Sequence, residues 1–277
     1  MQAPRHWQRF SRDRWALIGL GIVTILTVLA LAAPWIAPAD PLRGSLANSL
    51  RAPSREFWLG TDVQGRDLLA RLLFGARLSL AVGLVSQTVA SLIGVALGLV
   101  AGYYGRWVDG ALMRLADVTL AFPSLLLLIA IAAAVNPSLP VVFVVIGLVG
   151  WAGMARLVRG EVLTLRVREY VQAARALGAS DARIVWRHLL PGVTAPVIVA
   201  ATLGVGGAIM AEAALSFVGL GARPPTPSWG AMVADGRDLL RVAPWVSLMP
   251  GLAIGLTVLG VNLVGDGLRD ALEVRPA

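Results

Sequence analysis

The chain has 277 residues, of which 57% are hydrophobic and only 14% charged, and it carries a formal charge of +8; a soluble domain does not have this balance, so an integral membrane protein is expected. It contains no cysteine and no lysine, which excludes disulfides, thiolate chemistry, Schiff-base catalysis and a lysine-dependent phosphate loop. Its two histidines, His6 and His188, are too far apart in sequence to suggest a zinc cluster or facial triad.

Runs of about 20 apolar residues, the length that crosses a hydrocarbon core, mark six candidate spans. The first, Trp15 to Ala33, follows Arg5, Arg9, Arg12 and Arg14. This opening is similar to a secretory signal, with Ala30 and Ala32 as small cleavage-site residues, but its apolar run exceeds the usual length and it is read as the first membrane helix. A long connection, 34–77, leads to the second span, Leu78 to Ala101, where Gly94, Gly98 and Gly102 fall four apart and form a ridge for close helix packing. The third span is Ala111 to Val135, with Arg114 and Asp117 on one face and able to pair. After a connection at 136–138 without a basic residue comes the fourth, Leu139 to Ala155. The fifth, Val193 to Gly219, holds Glu212, read as a helix-to-helix hydrogen-bond anchor in preference to a pathway or snorkelling residue. The sixth, Pro244 to Val264, follows a Pro-rich connection, 220–243, with Pro224, Pro225, Pro227 and Trp229 as a stiff turn.

An even number of spans places both termini on one side. The segment between spans four and five carries Arg159, Arg166, Arg168, Arg175, Arg183 and Arg187, so the positive-inside rule assigns it and the termini to the cytoplasm. The arginines of 34–77 oppose this, but long connections follow the rule weakly and Asp40, Glu56, Asp62 and Asp67 balance much of that charge. Scattered in this way, the arginines indicate orientation and not nucleic-acid binding. Asp62, Arg66 and Asp67 fit equally a surface that receives a partner protein and the solvated face of a helix entering span two.

Within the basic segment, spacing at Val167, Tyr170 or Val171, Ala174 and Leu177 predicts one helix face. Gly178 closes that helix, Ser180 caps a second with Asp181 in its first turn, and Arg187 and His188 sit at its far end before Pro191 stops it. The pattern Gln172-Ala173-Ala174, three residues, Gly178, nine residues, His188, one residue, Leu190-Pro191 resembles the EAA loop of permease subunits in ATP-binding cassette importers. Gln172 stands where the motif has glutamate, so no salt bridge is carried over. Residues 57–80, FWLGTDVQGRDLLARLLFGARLSL, and 212–230, EAALSFVGLGARPPTPSWG, are similar to blocks of the dipeptide, oligopeptide and nickel permease branch, in its shorter, second subunit.

The resemblance implies an all-α polytopic bundle of the type I importer permease fold, with a permease domain over 15–265 flanked by cytoplasmic segments 1–14 and 266–277. It implies a second, homologous permease, two ATP-binding subunits, an extracytoplasmic substrate-binding protein and membrane lipid as partners, without a cofactor or catalytic residue in this chain. It also implies that the loop 159–192 couples to the ATP-binding subunit, through Gln172, Ala173, Ala174, Arg175, Leu177, Gly178, Ala179, Ser180 and Arg183. A different class of function, a stand-alone proton-coupled transporter using Glu212 or Asp117, would need no docking loop and no companion ATPase. Peptide is the expected cargo, with nickel complexes and other small solutes left open by the resemblance, and the pathway residues are not legible.

Overall fold

The computed structural model describes residues 3–135, 139–221 and 225–272, and among these the secondary structure is helical, with only isolated β-bridges at Gly44–Arg66 and Thr61–Asp67. A short helix α1 (Ala3–Phe10) precedes α2 (Arg14–Ile36), whose start is capped by the Asp13 carboxylate accepting from the N–H groups of Trp15 (2.8 Å) and Ala16 (3.3 Å). A long rod, α3 (Leu68–Tyr104), is capped by Asp67, which accepts from the Ala70 N–H at 2.7 Å. Then come α4 (Arg106–Ala121), α5 (Ser124–Ala134) and α6 (Leu139–Leu165). The basic segment holds α7 (Glu169–Ala176) and α8 (Asp181–Ile184), which passes through a widened turn at Val185–Leu189 into α9 (Leu190–Phe217). Helix α10 (Trp229–Gly236) and α11 (Trp245–Leu272) complete the order.

Among the described residues five helical runs are long and apolar enough to cross a membrane, six if a bent pair counts as one. That pair is the third expected span: α4 and α5 meet at 92° instead of forming one rod. Pro123 lacks an N–H and forces the preceding Phe122 into an extended conformation (φ −87°, ψ 140°), so the helix cannot continue through it. The connection at 136–138 lies outside the described residues, as does Pro224 of the expected stiff turn.

The glycine ridge is used inside the chain. A Cβ at Gly94, Gly98 or Gly102 would sit 2.5–2.8 Å from atoms of Met154, Trp151, Ala155, Val158 or Val162, so α3 and α6 approach at backbone distance. By contrast, Gly251 and Gly255 on α11 meet nothing within 4 Å.

At one end of the bundle, 37–67 folds onto the start of α3 around buried charges. Asp62 accepts from the backbone N–H groups of Gln64 and Arg66 (both 2.9 Å) and from Arg66 Nε (2.6 Å), and Arg71 Nε lies 3.3 Å away. Asp62, Asp67 and Arg71 are buried, so the solvated-helix expectation for Asp62, Arg66 and Asp67 is overturned: the turn residues Gly60 and Gly65, both at positive φ, fold this stretch back before α3 starts. The two blocks, 57–80 and 212–230, pack on each other there. Trp229 donates its backbone N–H to Ser79 Oγ (3.2 Å) and its indole N–H to the Leu72 carbonyl (3.0 Å). The Trp245 indole reaches the Thr61 carbonyl at 3.2 Å. At the opposite end, Phe10, Ala16 and Ala271 cluster, bringing the start of α2 beside the end of α11. The basic segment shares that end, because Arg269 and Leu272 line one cleft with Leu157, Glu161 and Ala195.

Candidate functional site

The basic segment forms an elbow that stands out from the bundle while its base is locked into it. Helix α7 ends in a paired closure in which Gly178 N–H donates to the Arg175 carbonyl and Ala179 N–H to the Ala174 carbonyl, both at 3.0 Å. Gly178 holds φ +78°, the left-handed conformation that this closure requires. Ser180 then caps α8, its hydroxyl accepting the Arg183 N–H at 3.4 Å. These features follow the sequence expectation.

Pro191 does not. The chain is helical without interruption from Asp181 to Phe217, so Arg187 and His188 lie inside a helix and not at its end. The widened turn, closed by the Leu190 N–H donating to the Val185 carbonyl, gives the proline ring the room that a regular α-helix denies it. The elbow's outer arm is thus a direct extension of a membrane rod.

Val171, Ile184, Leu189 and Val193 are buried with Leu99, Tyr103, Met154, Val158 and Val162, which fastens both arms to α3 and α6. Each fully buried aliphatic of this kind contributes about 1.5–3 kcal/mol. Of the expected helix face, Val171 is buried and Ala174 half-buried, whereas Val167 and Leu177 point outward. Leu177, at 88% exposure, is an apolar knob at the tip. Gln172, Ala173, Arg175, Gly178, Ser180 and Arg183 are also exposed, and Ala179 is half-buried against the cluster. The structure thus brings all nine predicted residues together on one elbow, with the outer surface small, apolar at its apex and basic at Arg183.

Three polar contacts secure the base, and sequence reasoning found none. The Tyr103 hydroxyl donates to Asp181 Oδ1 at 2.6 Å, the Arg175 guanidinium lies over the Tyr103 ring at 5.6 Å, and Arg166 Nη1 donates to the Gly102 carbonyl at 2.9 Å. Arg175 is therefore partly committed within the chain. Behind them, Arg159 holds Asp109 of α4 through two hydrogen bonds, 2.9 and 2.6 Å. The available signal was the Tyr103-Tyr104 pair at the end of the glycine ridge, but nothing local pairs Tyr103 with a residue so far along the chain.

Of the candidate proton carriers, Asp117 is paired, while Glu212 is held at one oxygen by its own helix and its Oε2 is buried without a hydrogen-bond partner. Asp117 pairs with Arg156 of α6, not with Arg114, because α4 lies against α6 and turns that carboxylate toward it. Glu212 is 1% exposed, which rules out snorkelling; its Oε1 accepts from Ser216 at 2.7 Å, and Ser216 Oγ lies 3.5 Å from Ser228 Oγ at the cap of α10. No group of three or more His, Cys, Asp or Glu suited to a metal occurs among the described residues.

Residues 94–276 match the family of binding-protein-dependent transport system inner membrane components, and residues 4–53 match the N-terminal transmembrane domain of oligopeptide transport permease C. A dipeptide transport system permease protein of Alkalihalophilus pseudofirmus is 46% identical over 267 residues, covering 96% of this chain and 88% of that protein. A di/tripeptide transport system permease of Pseudomonas aeruginosa is 46% identical over 273 residues (96% and 90% covered). A glutathione transport system permease of Escherichia coli O157:H7 is 44% identical over 276 residues (99% and 91%). Among solved structures, a chain of the methionine ABC transporter MetNI in an inward-facing conformation superposes with a TM-score of 0.59 at 20% identity, over 73% of this chain and 97% of that one.

Proposed function

The chain belongs to the inner-membrane permease components of binding-protein-dependent ABC transport systems, and from that premise we propose that it forms half of a peptide translocation pathway and takes its power stroke through the elbow at 170–191. In this reading a second, homologous permease completes the pathway and two separate subunits hydrolyse ATP. A substrate-binding protein delivers cargo to the opposite end of the bundle, where 34–77 and 220–243 pack together. The elbow, segment 1–14 and tail 266–277 all face the cytoplasm, the two terminal segments flanking in sequence a permease domain that spans 15–265. Dipeptides and short oligopeptides are the cargo class, supported by the names of the relatives.

The observation that carries the coupling role is mechanical. Leu177 and Gly178 project from an elbow whose second arm is continuous with a membrane rod, so a push on the tip is delivered to α9 without an intervening joint. Nothing lies within 4 Å of a Cβ built at Gly178, so replacement there strains the backbone without a clash. Gly178→Leu should cost roughly 1–2 kcal/mol in the elbow's conformation and leave the chain in the membrane. The expected result in reconstituted vesicles is ATP hydrolysis that continues while peptide uptake falls; normal uptake would overturn the coupling role. Purification from membranes should also bring down a second permease and P-loop subunits, and a solitary chain that moves solute would restore the proton-coupled alternative.

A further inference from the structure

Midway along α3 and α9, a cleft of about 260 Å³ opens on the outside of the chain, lined by Leu84, Gln87, Thr88, Ser91, Thr202 and Val205 among others. Its polar members on α3 recur at the three-and-four interval of one helix face. The neighbouring face of α3 is occupied, since a Cβ at Gly83 would meet Ile209 of α9 and one at Gly94 would meet Met154 of α6. Gln87 is seated against α9 because Gly204 has no side chain: a Cβ there would overlap the Gln87 amide. Gln87 Nε2 donates to Ser91 Oγ at 3.1 Å, while the Thr88 and Thr202 hydroxyls bond back to the Leu84 and Ile198 carbonyls of their own helices. The Gln87 carbonyl, its second N–H and the Ser91 hydroxyl hydrogen are given no partner by these bonds.

A primary amide facing hydrocarbon at mid-bilayer depth is costly unless water or another polar group meets it. The concave shape leaves room for a solute beside these groups. We propose, on the permease reading above, that this cleft is this chain's wall of the solute path, with Gln87 and Ser91 as a hydrogen-bonding site for the backbone amides of a peptide in transit. Gln supplies a donor and an acceptor, matching an amide's own acceptor and donor. Among the described residues no ionisable side chain lines the cleft, so the proposed site would read backbone and not side-chain charge.

The absence of cysteine permits a direct test. Thr88→Cys and Thr202→Cys, made singly in the assembled transporter, are treated with an anionic methanethiosulfonate, and modification is read by mass spectrometry of this chain with and without ATP and vanadate. Ile25→Cys, exposed midway along α2, is the lipid-facing control. Modification of the first two in at least one nucleotide state, with Ile25→Cys unmodified, supports the proposal; if both resist as the control does, the face is packed against lipid or a partner helix and the proposal falls. In vesicles supplied with a mixed dipeptide pool, Gln87→Leu should lower uptake about fivefold, the loss of one hydrogen bond, with assembly and ATP hydrolysis retained. Unchanged uptake would overturn the amide-binding role. A parent transporter that hydrolyses ATP but takes up no dipeptide would overturn the peptide cargo instead, and the thiol measurement would still decide whether the cleft lines a path.

Discussion

Tyr103 ties the long rod α3 to the elbow, and on the proposed function the strength of that tie would set how faithfully the elbow moves with the bundle. Its hydroxyl bond to Asp181 spans 2.6 Å and its ring underlies Arg175. Removing the hydroxyl in Tyr103→Phe keeps the ring and the apolar packing, and should weaken the elbow's docking by about 1–2 kcal/mol. The expected signature is a lower ratio of solute moved to ATP hydrolysed, with Asp181→Ala adding little to the Tyr103→Phe defect in a double-mutant cycle. At the far end, Asp62 is the shared partner of Arg66 and Arg71. Asp62→Ala removes the carboxylate that pairs directly with two largely buried guanidinium groups and leaves them the more distant Asp235, a change that costs up to about 3–5 kcal/mol. A marked fall in thermal unfolding temperature in detergent would be seen, and an unchanged temperature would show that the cluster is wet and its charges unimportant to the fold.

At the scale of helices, packing distance separates glycines that look alike in sequence. The α3–α6 contact closes over Gly98, where a Cβ would lie 2.6 Å from the Ala155 carbonyl, whereas Gly251 faces open space. Gly98→Leu should therefore destabilise the chain by more than the 1–3 kcal/mol typical of modest overpacking, and Gly251→Leu should leave its unfolding unchanged, measured in the isolated chain. The four-residue spacing is the same at 94–98–102 and at 251–255 and carries no signal for which one faces a neighbour. Two prolines depart from expectation in opposite directions for a related reason. Pro123 lies inside an apolar run expected as one span and breaks it at 92°, whereas Pro191, expected to stop a helix, is absorbed by the widened turn before it. Local rules describe the cost of a proline; whether a wide turn or a sharp bend meets that cost is settled by the helices around it.

Across the whole molecule, composition and apolar run length were enough to read a membrane bundle, because burying backbone in lipid leaves helices as the available solution. The elbow was legible too, through Gly178 and Ser180, whose roles are local and stereochemical. What joins the elbow to the bundle was not, since Tyr103–Asp181 and the Trp229–Ser79 contact link residues far apart in the chain. The same long-range contacts join α3 to the charge cluster around Asp62 at one end and to the elbow at the other, so that on the proposed function docking at one end and ATP-driven motion at the other would act on one helix. The most direct measurement of this account is crosslinking from the tip: Leu177→Cys, the sole cysteine of the chain, carrying a short photoactivated crosslinker in membranes that contain the complete transporter. The account predicts a crosslinked product with the ATP-binding subunit whose yield changes when nucleotide is added. Labelling of Leu177→Cys in intact cells by an impermeant thiol reagent, without any product to an ATP-binding subunit, would contradict it.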